Sequence, residues 1–170
     1  GYNLVGSDSQ SIVIDTENNS ITFFYAKKND LTLTVKYVDK TTNSTLAADT
    51  KTAQVFGTVY TAESLKKTFT GYTYDSASAE SVTITTGTNE ITLYYTINSY
   101  GYTVNYLEKG TNNVLATAKT GTANYNQTVT ETALAIKGYN LVGSDSQSIV
   151  IDTENNVITF YYSINSYGYT

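Results

Sequence analysis

Cysteine, histidine, methionine, tryptophan and proline are all absent from this 170-residue sequence. Without cysteine there are no disulfides to staple the chain and no thiolate to ligate a metal or attack a substrate. Without histidine the commonest general base is missing too. Serine and threonine are so frequent that none stands beside an activating partner, so the chain reads as non-catalytic and free of cofactors. No apolar run approaches the ~20 residues of a membrane-spanning helix, and no signal peptide opens the chain, which starts in mid-repeat. Cations are too few for a phosphate-binding surface: the net charge is −5 and the pI near 4.6, whereas nucleic-acid binders cluster Lys and Arg to displace counterions.

What is present is threonine, tyrosine, valine, isoleucine and asparagine, and a pronounced repetition. Gly1 to Tyr25 recurs at Gly138 to Tyr162, differing only at Ser20 against Val157 and Phe24 against Tyr161. A diverged copy, Gly71 to Thr103, aligns without a gap with Gly138 to Thr170, with 17 identities in 33. A period near 67 residues decides the architecture before any local reading. The expected layout is the C-terminal half of a preceding repeat (1–27), two complete repeats (28–98 and 99–165) and the start of another (166–170). A unit that small buries only about 60% of its unfolded surface, so neighbours or good strand pairing must help to stabilise it.

β-branched residues and tyrosine suit a pleated, half-buried surface. In Leu31 to Tyr37, strict alternation sets Leu31, Leu33, Val35 and Tyr37 on one face; in the next repeat Tyr102, Val104 and Tyr106 alternate. Turns follow at 39–45 and 109–113, then second strands from Leu46 and Leu115. In the closing block, Ser11 to Ile14 and Ile21 to Tyr25 flank the turn formers Asp15 to Asn19, which predicts a β-hairpin. Val82 and Ile84 are expected to face Ile91, Leu93 and Tyr95 in the same way. Ala26 to Asp30 reads as a linker. Thr61 to Phe69 predicts two helical turns at most, with Thr61 as cap and Leu65 and Phe69 four apart. Its counterpart is Thr128 to Ile136, where Thr128 and Glu131 have capping-box spacing.

The order Val35 to Asp39, Gly57 near Tyr60, Gly71-Tyr72 and Ile91 to Tyr95 resembles the MucBP (mucin-binding protein) repeat of Gram-positive surface adhesins. The second repeat matches through Val104 to Glu108, Gly138-Tyr139 and Ile158 to Tyr162. It carries Tyr125-Asn126-Gln127 where that family usually has a glycine. The resemblance implies a fold class of β-rich α+β: tandem β-grasp, ubiquitin-like units in an elongated array, with mixed or antiparallel strands and at most one short helix each. It also implies an extracellular, cell-surface location, cell-wall anchoring outside this stretch, and adhesion to host or mucin glycans and glycoproteins.

Tyr37, Tyr95, Tyr106 and Tyr162 fall on the buried parity of their strands. Tyr94 and Tyr161 lie on the opposite parity and Tyr125 in a loop, so these three are the candidates to stack on sugars. Tyr100, Tyr102 and Tyr167 recur at the joints and are expected to pack one repeat on the next. Asp152 and Glu154 gather oxygens at a hairpin tip as Ca²⁺ ligands would, but lack the EF-hand spacing; the diverged copy, Thr85 to Asn89, has no carboxylate there, so a turn without metal is expected. Lys36, a position for an isopeptide cross-link, lies on the outer parity and becomes Asn105 in the next repeat. Two functions stay open: an adhesin repeat that spaces and touches glycans, and a structural stalk or extracellular filament module without a ligand. The leading half-repeat lacks its first strand, so either a neighbouring chain supplies one by strand complementation or the folded unit is permuted.

Overall fold

A computed structural model describes residues 1–166 and Gly168. Its strands are β1 (Tyr2–Val5), β2 (Phe24–Lys27), β3 (Leu31–Asp39), β4 (Thr45–Gln54), β5 (Val59–Thr61), β6 (Tyr72–Ala77), β7 (Ser81–Thr83), β8 (Glu90–Ile97), β9 (Ser99–Glu108), β10 (Val114–Asn124), β11 (Thr128–Thr132), β12 (Tyr139–Val142), β13 (Ser146–Val150) and β14 (Val157–Ile164). The chain forms two compact units: Gly1–Lys67 with Tyr74–Thr96, and Thr68–Thr73 with the chain from Ile97 onward.

The two copies build the same pair of sheets. The larger are ordered β4-β3-β8-β6 and β10-β9-β14-β12; the smaller are the ribbons β5-β7 and β11-β13. β3 runs antiparallel to β4 but parallel to β8, and β9 is likewise antiparallel to β10 and parallel to β14. The first and last strands of a repeat are therefore neighbours in mid-sheet. This mixed order is compatible with the β-grasp expectation.

The alternation predicted in β3 is realised: Leu33 and Val35 are fully buried and Tyr37 is 1% exposed, and Ile84, Ile91, Leu93 and Tyr95 of the same unit are buried as well. The second core is Val104, Tyr106, Ile158, Phe160 and Tyr162, with Leu141 and Ile149 packed on it. Each such side chain contributes roughly 1.5–3 kcal/mol on burial. The core tyrosines keep their hydroxyls satisfied at the margin. Tyr37 donates to Leu65 O, Tyr95 to Lys67 O and Tyr162 to Leu134 O, each at 2.9 Å.

Three expectations change. The closing block is not a hairpin: β7 pairs with β5 and β13 with β11, while β8 and β14 join the other sheet. Local alternation carries no record of which strand is the partner. In residues 1–27, which have no counterpart of β11, Ser11 to Ile14 forms no strand and Val13 is 91% exposed; Tyr2–Val5 pairs instead with Phe24–Lys27, so Ala26 and Lys27 are strand rather than linker. The helical segment shrinks to one 3-10 turn, Glu63–Leu65, and its counterpart is the strand β11.

The chain crosses from the ribbon to the larger sheet through an asparagine clasp. Asn156 Oδ1 accepts the Asp152 N–H at 2.8 Å, and its Nδ2 donates to Asp152 O at 2.8 Å and to Gly101 O at 3.2 Å. Its own carbonyl accepts the Thr103 N–H, the first bond to β9. Asn89 repeats this with Thr85, Thr32 and Thr34. Both are buried because a side-chain amide, donor and acceptor at once, is the group that can close both ends of such a loop.

Candidate functional site

The first unit carries an open cleft of 310 Å³ between the 3-10 turn and the β6–β7 connection, lined by Ala62, Glu63, Lys66, Tyr74, Ala77, Ala79 and Glu80. Its origin is a difference in chain length. Lys67, whose carbonyl accepts the Tyr95 hydroxyl, stands seven positions after Tyr60, which pairs with Val82. In the second unit the corresponding Leu134 stands only five positions after Val129, which pairs with Ile149. The two extra residues are taken up as the 3-10 turn, in which Thr61 Oγ1 accepts the Ser64 N–H at 3.3 Å and Leu65 plugs the core.

Tyr74 forms one wall. It meets Tyr95 edge to face, with ring centroids 5.7 Å apart, and the Lys66 ammonium stands 4.0 Å from its ring centroid. Lys66 also pairs with Glu63, and that hydrogen bond raises the ammonium's pKa. Glu80 is exposed at the rim, and its carbonyl accepts the Ala62 N–H.

The second unit has a polar constellation of its own. Glu131, 8% exposed, accepts the Tyr102 hydroxyl at 2.8 Å on Oε1 and the Lys119 ammonium at 2.7 Å on Oε2. The bond from Lys119, then that from Tyr102, holds its carboxyl below the usual range; the bond to Glu131 raises the pKa of both partners. In the first unit, strand register places Leu33 and Ala62 at the corresponding positions, both buried. Gly121, opposite Tyr102 in β10, makes the room: a Cβ there would lie 2.5 Å from the tyrosine ring. Glu131 is thus a buried sheet carboxylate and not a helix cap. Its signal in the sequence was a charged residue standing where the other copy has alanine.

Tyr94, half-buried, lies opposite Val38 on β8 in the first unit. Tyr125 is half-buried in the second unit, where its ring meets Tyr100 at 6.4 Å and lies over Gly71; a Cβ on Gly71 would come within 2.1 Å of it. The backbone links the same three segments, Asn98 N–H to Gly71 O and Tyr125 N–H to Asn98 O. Tyr161 is 39% exposed on β14. Tyr102 belongs to the Glu131 constellation, and Tyr167 lies outside the described residues. Asp152 and Glu154 are exposed. Asp152 Oδ1 accepts the Thr153 N–H, and among the described residues no three His, Cys, Asp or Glu gather so as to hold a metal. Lys36 pairs with Glu90 at 2.8 Å on the surface. Among the described residues no helix is long and apolar enough to cross a membrane. Sequence reading missed Glu131, Asn89, Asn156 and the Tyr74 cleft.

Among solved structures, the chain is similar to Mub-RV, at 18% identity over 80% of this chain and 100% of that one, TM-score 0.33. It is also similar to the type 2 repeat of the mucus binding protein MUB from Lactobacillus reuteri, at 13% identity over 79% and 100%, TM-score 0.31. Domains 3–4 of the Streptococcal High Identity Repeats in Tandem (SHIRT) of a cell surface protein are 14% identical over 79% and 98%, TM-score 0.31. No curated protein matches the chain. The MucBP domain model matches twice, over residues 32–96 and 103–163, once for each of the two paired-sheet bodies. The two matches span most of the sequence, and the chain belongs to the MucBP domain family.

Proposed function

We propose that the chain is part of an extracellular surface adhesin, with no catalytic role, whose repeats transmit tension between a cell and the host glycans or glycoproteins it adheres to. The observation that carries this reading is the parallel pairing of the first and last strands of each repeat. Six residue pairs join β3 to β8, from Thr34–Glu90 to Asp39–Tyr95, and six join β9 to β14. A pull applied where the chain enters β3 and leaves β8 draws two parallel neighbours lengthwise past each other. All their hydrogen bonds are then loaded in shear together, where an antiparallel terminal pair would open one bond at a time. Family membership supports both the adhesive and the non-catalytic part of the reading. The exposed Tyr161 and the half-buried Tyr94 remain the surface rings for glycan contact, while Tyr125 is engaged within the second unit by Gly71 and Tyr100.

Single-molecule stretching of the 170-residue chain tests the mechanical part. Two unfolding events are expected, each at a force well above that of a β-fold loaded as an antiparallel zipper. Rupture at zipper-like forces would refute it. Capture on immobilised mucin, compared for the parent chain and Tyr161→Ala, tests adhesion; a parent chain that does not bind leaves the stalk alone.

A further inference from the structure

We infer that the cleft beside Tyr74 is a subsite for one neutral sugar residue and that it discriminates against sialylated and sulfated glycans. This rests on the adhesive reading above and names the ligand class that one face of the first repeat accepts. At 310 Å³ the cleft is at the small end of ligand pockets, which run about 300–1,000 Å³, so it admits a single ring and not an extended chain.

A sugar ring offers an apolar C–H face and a rim of hydroxyls. The methyl groups of Ala62, Ala77 and Ala79, with the part of the Tyr74 ring that the Lys66 ammonium leaves open, meet the first of these. Contact with Tyr95 fixes the plane of the Tyr74 ring, so the wall is preformed. Glu63 and Glu80 accept hydrogen bonds from hydroxyls. Charge decides which sugars enter. Two carboxylates and one ammonium leave the lining negative, Lys66 is already paired with Glu63, and Glu80 has no ion-pair partner among the described residues. A sialic acid carboxylate or a sulfate would face Glu80 with no free cation to receive it, which disfavours binding. The second repeat cannot do the same: it lacks the 3-10 turn and carries Leu141, Ala133 and Gln147 where the first has Tyr74, Lys66 and Glu80.

The test is binding of the whole chain to immobilised mucin before and after sialidase treatment, with Tyr74→Leu and Glu80→Gln, residues that the second repeat already accommodates. Thermal melts confirm that each variant is folded. Desialylation is expected to raise binding, Tyr74→Leu to lower binding to desialylated mucin by at least about fivefold, the scale of one interface anchor, and Glu80→Gln to narrow the difference between the two surfaces. A smaller loss with Tyr74→Leu, binding that falls on desialylation, or a difference that Glu80→Gln leaves intact would overturn the assignment while leaving adhesion standing. A chain that binds neither surface removes the adhesive reading and this subsite with it.

Discussion

Replacing Asn156 with alanine isolates what the loop clasp contributes, because the same residue occurs three times with two different sets of partners. Asn156 makes three side-chain hydrogen bonds, one of which reaches Gly101 at the edge of β9. Asn19, in the nearly identical leading copy, makes the bonds to Asp15 N–H and Asp15 O on an exposed loop and no long-range bond among those observed. A net hydrogen bond contributes about 1 kcal/mol, and Asp152 and Gly101 are open enough for water to replace part of the loss, so Asn156→Ala is expected to cost about 2–3 kcal/mol. That is a large fraction of the roughly 3–10 kcal/mol available to a unit of this size. It corresponds to a fall of about 10–20 °C in the melting of the second repeat. Asn19→Ala should stay within about 0.5 kcal/mol, and Asn89→Ala should match Asn156→Ala in the first repeat. Urea unfolding followed by near-UV circular dichroism of the tyrosines reads all three. Equal effects of Asn156→Ala and Asn19→Ala would refute the argument, since the bond to the first strand would then contribute nothing.

Glu131, whose carboxyl is held low, contributes stability that is complete above its unfolded pKa of about 4.3 and is lost as pH falls through the lower folded value. Glu131→Gln should therefore flatten the stability–pH curve of the second repeat below about pH 5, and an unchanged slope would count against the constellation. Gly71→Ala forces a Cβ against the Tyr125 ring at φ +76. It should cost at least the ~1–2 kcal/mol of a left-handed backbone and shift the NMR signals of Tyr100 and Tyr125, which would otherwise stay in place. Tyr37, pushed up to about 12 chiefly by burial, contributes stability that is complete below pH ~10 and is lost as pH rises through about 12. Absorbance at the tyrosinate band should show a late step to which Tyr37, Tyr102 and Tyr162 contribute, and Tyr37→Phe should reduce its amplitude.

The buried parity of Leu33, Val35 and Tyr37, and of Tyr95 and Tyr162, was legible in the sequence, because alternation over a half-buried strand is a local property. Pairing was not. Ser146–Val150 and Val157–Ile164 are consecutive and joined by turn formers, yet they lie in different sheets, since each finds a better partner far back in the chain. The leading copy makes the same point: with no counterpart of β11 beside it, a sequence identical to Ser148–Ile151 is left outside any strand. The short helix failed for a related reason. Capping-box spacing at Thr128 and Glu131 is a weak signal, and the ribbon with β13 outweighs it. Gathering Glu131, Tyr102 and Lys119 required knowing that three separate strands meet, and the Tyr74 cleft required counting residues between two paired landmarks.

That two-residue surplus sits away from β3 and β8, in the short passage between the ribbon and the core. A repeat organised in this way can lengthen or trim that passage, and with it the surface it presents, without touching a residue of the parallel pair that joins its first strand to its last.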